Sequence, residues 1–216
     1  TGVTGSSDSL TIDVNNRGTA LNTGSGTSNV HTIGAITAAG FETINVDVAD
    51  GPATFSGITA STMTSFDLDT GTNVPSGGTI TLGTVGPSSA VLVTVDCSGA
   101  ASNLSATFDW LASGAVITTS TGNDAITAGT NSTGTTLSVN LGAGNDTFIG
   151  DTDTDCADTV TGGDGTDTIQ AGDGNDTITT GAGSDTVIFD RFTASDREDI
   201  SDFTSASGGD VMKFDI

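Results

Sequence analysis

The stretch "GGDGTDTIQAGDGNDTITTGAGSDTVI", residues 162–188, sets the tightest limit on what this chain can fold into. It is one nine-residue unit written three times: glycines, an aspartate, and a single large aliphatic residue. One such side chain per nine residues buries too little to offset the ordering entropy of the unit, and its charges are all of one sign. The segment therefore needs something from outside the chain to fold.

Aligning on the aspartate brings in further copies. They are "TSTGNDAIT" at 119–127, "LGAGNDTFI" at 141–149, "DTDCADTVT" at 153–161, then 162–170, 171–179 and 180–188. The sixth position is Asp124, Asp146, Asp158, Asp167, Asp176 and Asp185, and the eighth is Ile126, Phe148, Val160, Ile169, Ile178 and Val187. An apolar residue two after each aspartate predicts a three-residue strand with one inward side chain. The glycine-rich half before it predicts a tight turn, since glycine tolerates positive φ and exposes its carbonyls.

If two copies make one turn of a coil, Asp158 lies over Asp176 and Asp167 over Asp185, about 4.8 Å apart. Carboxylates so placed repel each other. Of the chain's 27 acidic residues all but Glu42 and Glu198 are aspartate, and the 4 basic residues leave a net charge of -23. No Lys or Arg occurs between Gly18 and Asp190, so the counter-charge must be a bound ion. Calcium takes about six to eight oxygen ligands from carboxylates and backbone carbonyls together, which is what aspartate beside a glycine turn supplies. Zinc is disfavoured, because the repeat has no His and its one Cys stands outside any ligand cluster. Nucleic acid and anionic membranes are disfavoured as partners by the missing basic face. No apolar run approaches the ~18 residues of a transmembrane segment.

The rest of the chain reads as all-β. Runs such as "SLTIDV", "FETINVDV", "SFDLDT", "GTITLGTV", "AVLVTVD" and "NLSATFDW" alternate apolar residues with Thr, Ser or Asp, between Gly-, Asn- or Pro-containing seams. Strands recurring every ten to twenty residues or so suit a solenoid or a sandwich, and the alternation does not separate the two. Near Thr119 the strands shorten and aspartate takes fixed offsets. We therefore expect a Thr/Ser/Gly-rich β region at 1–118 and a calcium-binding roll with a closing segment at 119–216. The absence of a leader-like start, and the end at "KFDI", lead to the expectation of a piece of a longer polypeptide.

"GGDGTDTIQ" carries the full Gly-Gly-x-Gly-x-Asp-x-apolar-x pattern, and the other copies keep parts of it. The chain thus resembles the RTX (repeats-in-toxin) calcium-binding proteins, and "DREDISDF" resembles the segment that closes their rolls. The resemblance implies a parallel β-roll with calcium between turns, on a protein exported by type I secretion from a Gram-negative bacterium to the cell surface or medium. The Thr/Ser-rich upstream region resembles that of RTX surface-layer proteins and adhesins. The expected metal residues are Asp124, Gly144, Asn145, Asp146, Asp158, Gly162, Asp164, Gly165, Asp167, Gly172, Asp173, Gly174, Asp176, Gly181, Gly183, Asp185, Asp199 and Asp202. Calcium is the expected cofactor, and self-association in a surface lattice the expected partnership.

Competing uses of the same residues are weaker. Asp47, Asp67, Asp69, Asp96 and Asp109 fall at strand ends and read as surface groups. His31 is the single histidine, and neither HExxH nor GxSxG occurs, so no catalytic centre is expected. Phe108 and Trp110 read as core or strand-edge packing, and no Thr-x-Thr pair recurs at fixed spacing to suggest an ice-binding face. Cys97 and Cys156 are expected either as one crosslink or as two buried thiols. Two function classes follow: a calcium-rigidified structural module of a surface protein, or the folding and secretion appendage of a type I exported enzyme.

Overall fold

The computed structural model describes residues 8–14, 31–49, 51–70, 78–87, 92–129, 135–151, 156–189, 197–205 and 208–215. The chain coils, and each turn lays down one strand in each of two sheets. The first turns comprise β1 (Ser9–Val14), β2 (His31–Ile33) and β3 (Ile36–Ala38), then β4 (Thr43–Val48), β5 (Ala53–Phe55) and β6 (Gly57–Ala60). They continue through β7 (Ser65–Thr70), β8 (Thr79–Pro87), β9 (Leu92–Gly99), β10 (Asn103–Phe108), β11 (Leu111–Thr118) and β12 (Ala125–Ala128). The glycine–aspartate part supplies β13 (Leu137–Asn140), β14 (Thr147–Ile149), β15 (Thr159–Gly165), β16 (Thr168–Gln170), β17 (Thr177–Gly183) and β18 (Thr186–Phe189), and then come β19 (Asp199–Ile200) and β20 (Val211–Phe214). The first sheet runs β1-β4-β7-β9-β11-β13-β15-β17-β19. The second runs β2-β5-β8-β10-β12-β14-β16-β18-β20, with β3 and β6 beside it.

All these pairings are parallel, so the molecule is a β-solenoid and not a sandwich. A period-two pattern serves both folds equally. Parallel stacking adds that each apolar residue sits over its equivalent one turn away. In the first sheet one inward column climbs from Leu10 through Ile44, Phe66, Val95 and Ile117 to Val139, Val160, Ile178 and Ile200. The column, and the pairing of β10 with β12, pass residue 119 without a break. The core is accordingly one cluster from Ala38 to Val187, with Phe66 and Phe108 meeting at 6.0 Å between ring centroids.

The register expected for the repeats is the register found. Ile126, Phe148, Val160, Ile169, Ile178 and Val187 are all buried, at 1 % exposure or less. Each is the inward residue of a short strand, flanked by outward Thr. Ile169→Ala is expected to cost on the order of 2 to 4 kcal/mol, because rigid strands above and below cannot close the cavity. Urea unfolding at saturating calcium checks this value.

The cysteines take the second of the two expected forms: Cys97 and Cys156 are buried thiols with no disulfide. Cys97 points inward from β9, and Cys156 forms an isolated bridge with Gly174. Trp110 departs from the expected packing. It is 46 % exposed at the corner between β10 and β11, in a left-handed conformation with φ 58°.

Candidate metal centre

Successive nine-residue copies alternate between the two long edges of the solenoid. The turns 141–146, 162–167 and 180–185 lead from the first sheet to the second, and 171–176 leads back. The glycine turns are themselves paired: β15 and β17 extend through them, setting Gly163 against Gly181, Asp164 against Ala182 and Gly165 against Gly183. They form a continuous ladder of stacked main chain.

Glycine is required there by contact as well as by torsion. Gly163 and Gly165 have φ of 116° and 145°. A Cβ on Gly163 would strike the carbonyl oxygen of Gly142, and one on Gly165 that of Gly144. The same relation sets Gly142 over Ser120, Gly144 over Gly122, Gly181 over Gly163 and Gly183 over Gly165. Two columns of main-chain carbonyls thus rise along this edge. On the opposite edge Gly172 lies over the carbonyl of Asp151, and Gly174 over that of Cys156.

The aspartates form a second ladder behind the carbonyls. One oxygen of each accepts the main-chain N–H of the equivalent residue one turn earlier: Asp146 from Asp124 (2.7 Å), Asp167 from Asp146 (2.9 Å), Asp185 from Asp167 (2.8 Å) and Asp176 from Asp158 (2.8 Å). At the upstream ends Asp124 accepts from Leu104 and Asp158 from Leu137, both at 2.8 Å. The steps are 18 residues within the regular repeats and 21 or 22 where a longer turn intervenes. The second oxygens, Oδ2 of Asp146, Asp167 and Asp185, are buried and have no hydrogen-bond partner. That of Asp167 lies 2.5 Å from the point a Cβ on Gly162 would occupy.

The electrostatics follow from this geometry. Burial, then the neighbouring Asp124 and Asp167, push Asp146 up to about 7 against the pull of its hydrogen bond. Burial, then Asp176 and Asp151, do the same to Asp158. Asp124, Asp167 and Asp185 are also raised, in each case first by burial. Without metal the folded roll therefore holds protons that the unfolded chain releases near pH 4. Its stability is greatest below that pH and is lost as pH rises towards about 7. Calcium must displace those protons, so its affinity rises with pH over the same range. The calcium midpoint is expected to fall from pH 6 to pH 8, and proton release on binding near pH 7 is expected to appear as a buffer-dependent calorimetric enthalpy.

The donor set fits a hard cation. Unpartnered carboxylate oxygens belong to the turns whose carbonyls stack, and every donor is oxygen. Among the described residues no three His, Cys, Asp or Glu side chains converge on one point. A cation here would be held by carboxylates singly or in pairs, completed by main-chain carbonyls.

Other residues expected as ligands occupy distinct places. Asn145 uses its side-chain oxygen to accept the N–H of Thr166, in a ladder that also links Asn103 to Asn123 and Asn123 to Asn145. Asp164 is exposed, and its carbonyl accepts the N–H of Gly144. Asp173 is buried on the opposite edge, as is Asp151, which the repeat pattern does not mark. Asp202 spends both oxygens on Thr180 and Gly181, closing the stack. Asp199 pairs in register with Thr177 and is exposed, so Glu198 holds the position in line with Asp176. Asp210 accepts from Asp185 at 3.1 Å and from Thr204, and it ends the aspartate ladder. The spacing from Asp210 to Met212, which pairs with Val187, is the signal that would have found it.

Comparison with known proteins agrees with this geometry. The family model described as the RTX calcium-binding nonapeptide repeat, in 4 copies, matches residues 138–155 and 157–188. Neither the curated proteins nor the solved structures return a match. Asp124, Asp199 and Asp202 lie outside the matched segment. The glycine–aspartate edge of this solenoid is an array of RTX calcium-binding nonapeptide repeats.

Proposed function

We propose that this chain is a calcium-dependent structural module of a secreted or cell-surface bacterial protein, of surface-layer or adhesin type, in which calcium drives folding of the roll and supports assembly. The observation that carries the reading is the row of buried, unpartnered oxygens on Asp146, Asp167 and Asp185. In the folded roll these groups are stranded between like charges, and a divalent cation is the simplest species that satisfies them with the carbonyls alongside. Binding free energy then becomes folding free energy. Sites of extracellular type bind at roughly 10⁻⁴ to 10⁻³ M, so the roll would stay unfolded in a low-calcium cytosol, thread an exporter and fold outside.

The alternative, a secretion appendage of an exported hydrolase, is less favoured by the shared core. The upstream region continues the same two sheets and does not form a separate catalytic fold. We read the module as non-catalytic. No helix among the described residues is long and apolar enough to cross a membrane.

Calcium stoichiometry tests the assignment. Asp167→Ala is expected to lower the number of ions bound per chain in calorimetry. Unchanged stoichiometry and affinity would overturn the proposal.

A further inference from the structure

Acidic residues are distributed unequally over the solenoid. Five strands of the first sheet's upstream and closing parts carry Asp13, Asp47, Asp67 and Asp69, Asp96, and Asp199, and the turns of both edges carry most of the rest. No strand of the second sheet contains a single Asp or Glu. In a chain of net charge -23 this leaves one broad carboxylate-free face among the described residues.

Small and β-branched side chains reach solvent on that face. One outward column runs through Ser105, Ala125, Thr147, Thr168, Thr186 and Val211 in unbroken register. Beside it Ile149 is 40 % exposed, and at the downstream end Val211 is 52 % exposed beside Lys213, which shares the outward side of that strand.

We propose that the outer face of the second sheet is a self-association surface that receives the same face of a second copy. The inference rests on the structural-module reading above and names the face through which it assembles. Charge selects the occupant. Two copies with this net charge repel wherever carboxylates meet, and this face lets their backbones approach without opposing like charges. Outward Thr, Ile and Val on a regular parallel sheet pack face to face at about 10 Å. Nine strands at about 4.8 Å and three residues at about 3.3 Å give roughly 400 Å² per copy. That is below the ~1,200–2,000 Å² total of a stable pair, so the contact is weak, reversible and suited to repetition in an array. Salt should strengthen it, because screening removes the residual repulsion and the contact itself contains no ion pairs.

Sedimentation velocity of the full chain with saturating calcium, from micromolar to millimolar protein and at low and high sodium chloride, tests the surface. The expected result is concentration-dependent dimerisation that is stronger at high salt. Thr168→Glu, which places a charge in the middle of the face, is expected to weaken association at least tenfold. Ser138→Glu, on the outer face of the first sheet, is expected to leave it unchanged. Circular dichroism on the same samples separates the two readings. A chain unfolded in calcium sinks the calcium-driven fold and this surface with it. A folded chain that stays monomeric throughout, or a Thr168→Glu variant that associates like the parent, sinks the surface alone.

Discussion

Removing calcium is expected to unfold residues 119–216 and to leave the upstream solenoid folded. The two parts share sheets but draw their stability from different sources. Of the fully buried Phe and Met side chains only Phe148 lies beyond residue 119, while Phe55, Phe66, Phe108 and Met63 all precede it. Upstream strands place two or three inward residues each, as in β4, β7 and β10, whereas β14 and β16 place one. Burial at about 25 cal/mol per Å² therefore sustains the first part unaided. The second must also hold raised aspartates, and without a cation its ordering entropy wins. Circular dichroism during chelation should show partial loss of β signal, recovered by calcium with a sharp midpoint and not by magnesium. Heating the chelated protein should then reveal a second, separate transition. Complete unfolding in one step on chelation, or no change, contradicts the division.

Gly165→Ala is expected to be strongly destabilising to the roll. Its φ of 145° lies where only glycine is comfortable, and the added Cβ would meet the Gly144 carbonyl. The strain alone is worth about 1–3 kcal/mol. Relief would require moving a carbonyl out of a column stacked in register with its neighbours, so the total should reach on the order of 3 kcal/mol or more and should raise the calcium midpoint severalfold. Gly34→Ala is the control, since a Cβ there meets nothing within 4 Å. Equal stability of the two variants would show that the carbonyl columns are not structurally required.

Much of this architecture is legible in the residues, for reasons that can be located. An apolar side chain two after each aspartate defines which way a strand faces, so the burial of Ile169 and Val187 follows from spacing alone. The stacking of Asp167 on Asp185 follows from two nine-residue copies per turn. The role of each oxygen does not follow. Spacing places a carboxylate but does not say that one oxygen will accept an N–H from the turn before. Nor does it say that Asp202 will be consumed by Thr180 and Gly181. The exchange of Asp199 for Glu198 has a similar cause: the step from Asp176 to Glu198 is 22 residues and not 18, and counting by nines loses phase across it. Asp210 was hidden in the same way, by a 25-residue step. The choice of solenoid over sandwich was unreadable because both bury alternate residues, and only strand direction separates them.

The passage of both sheets across residue 119 changes the kinetics of assembly. A free roll would have to create its first turn from a disordered chain, a step that orders many residues before any stacking is gained. Here β10 and β11, both upstream of residue 119, already expose two strand edges and an inward apolar row. The repeats can be added to them as molecules are added to a crystal face. Each turn docks on the one before, and the aspartate of the arriving turn reaches back to an N–H already in place. Calcium concentration then sets the driving force for growth and not the height of a nucleation barrier. The roll should fold without a lag, from residue 119 outward, with the last turn at Asp210 the first to fray.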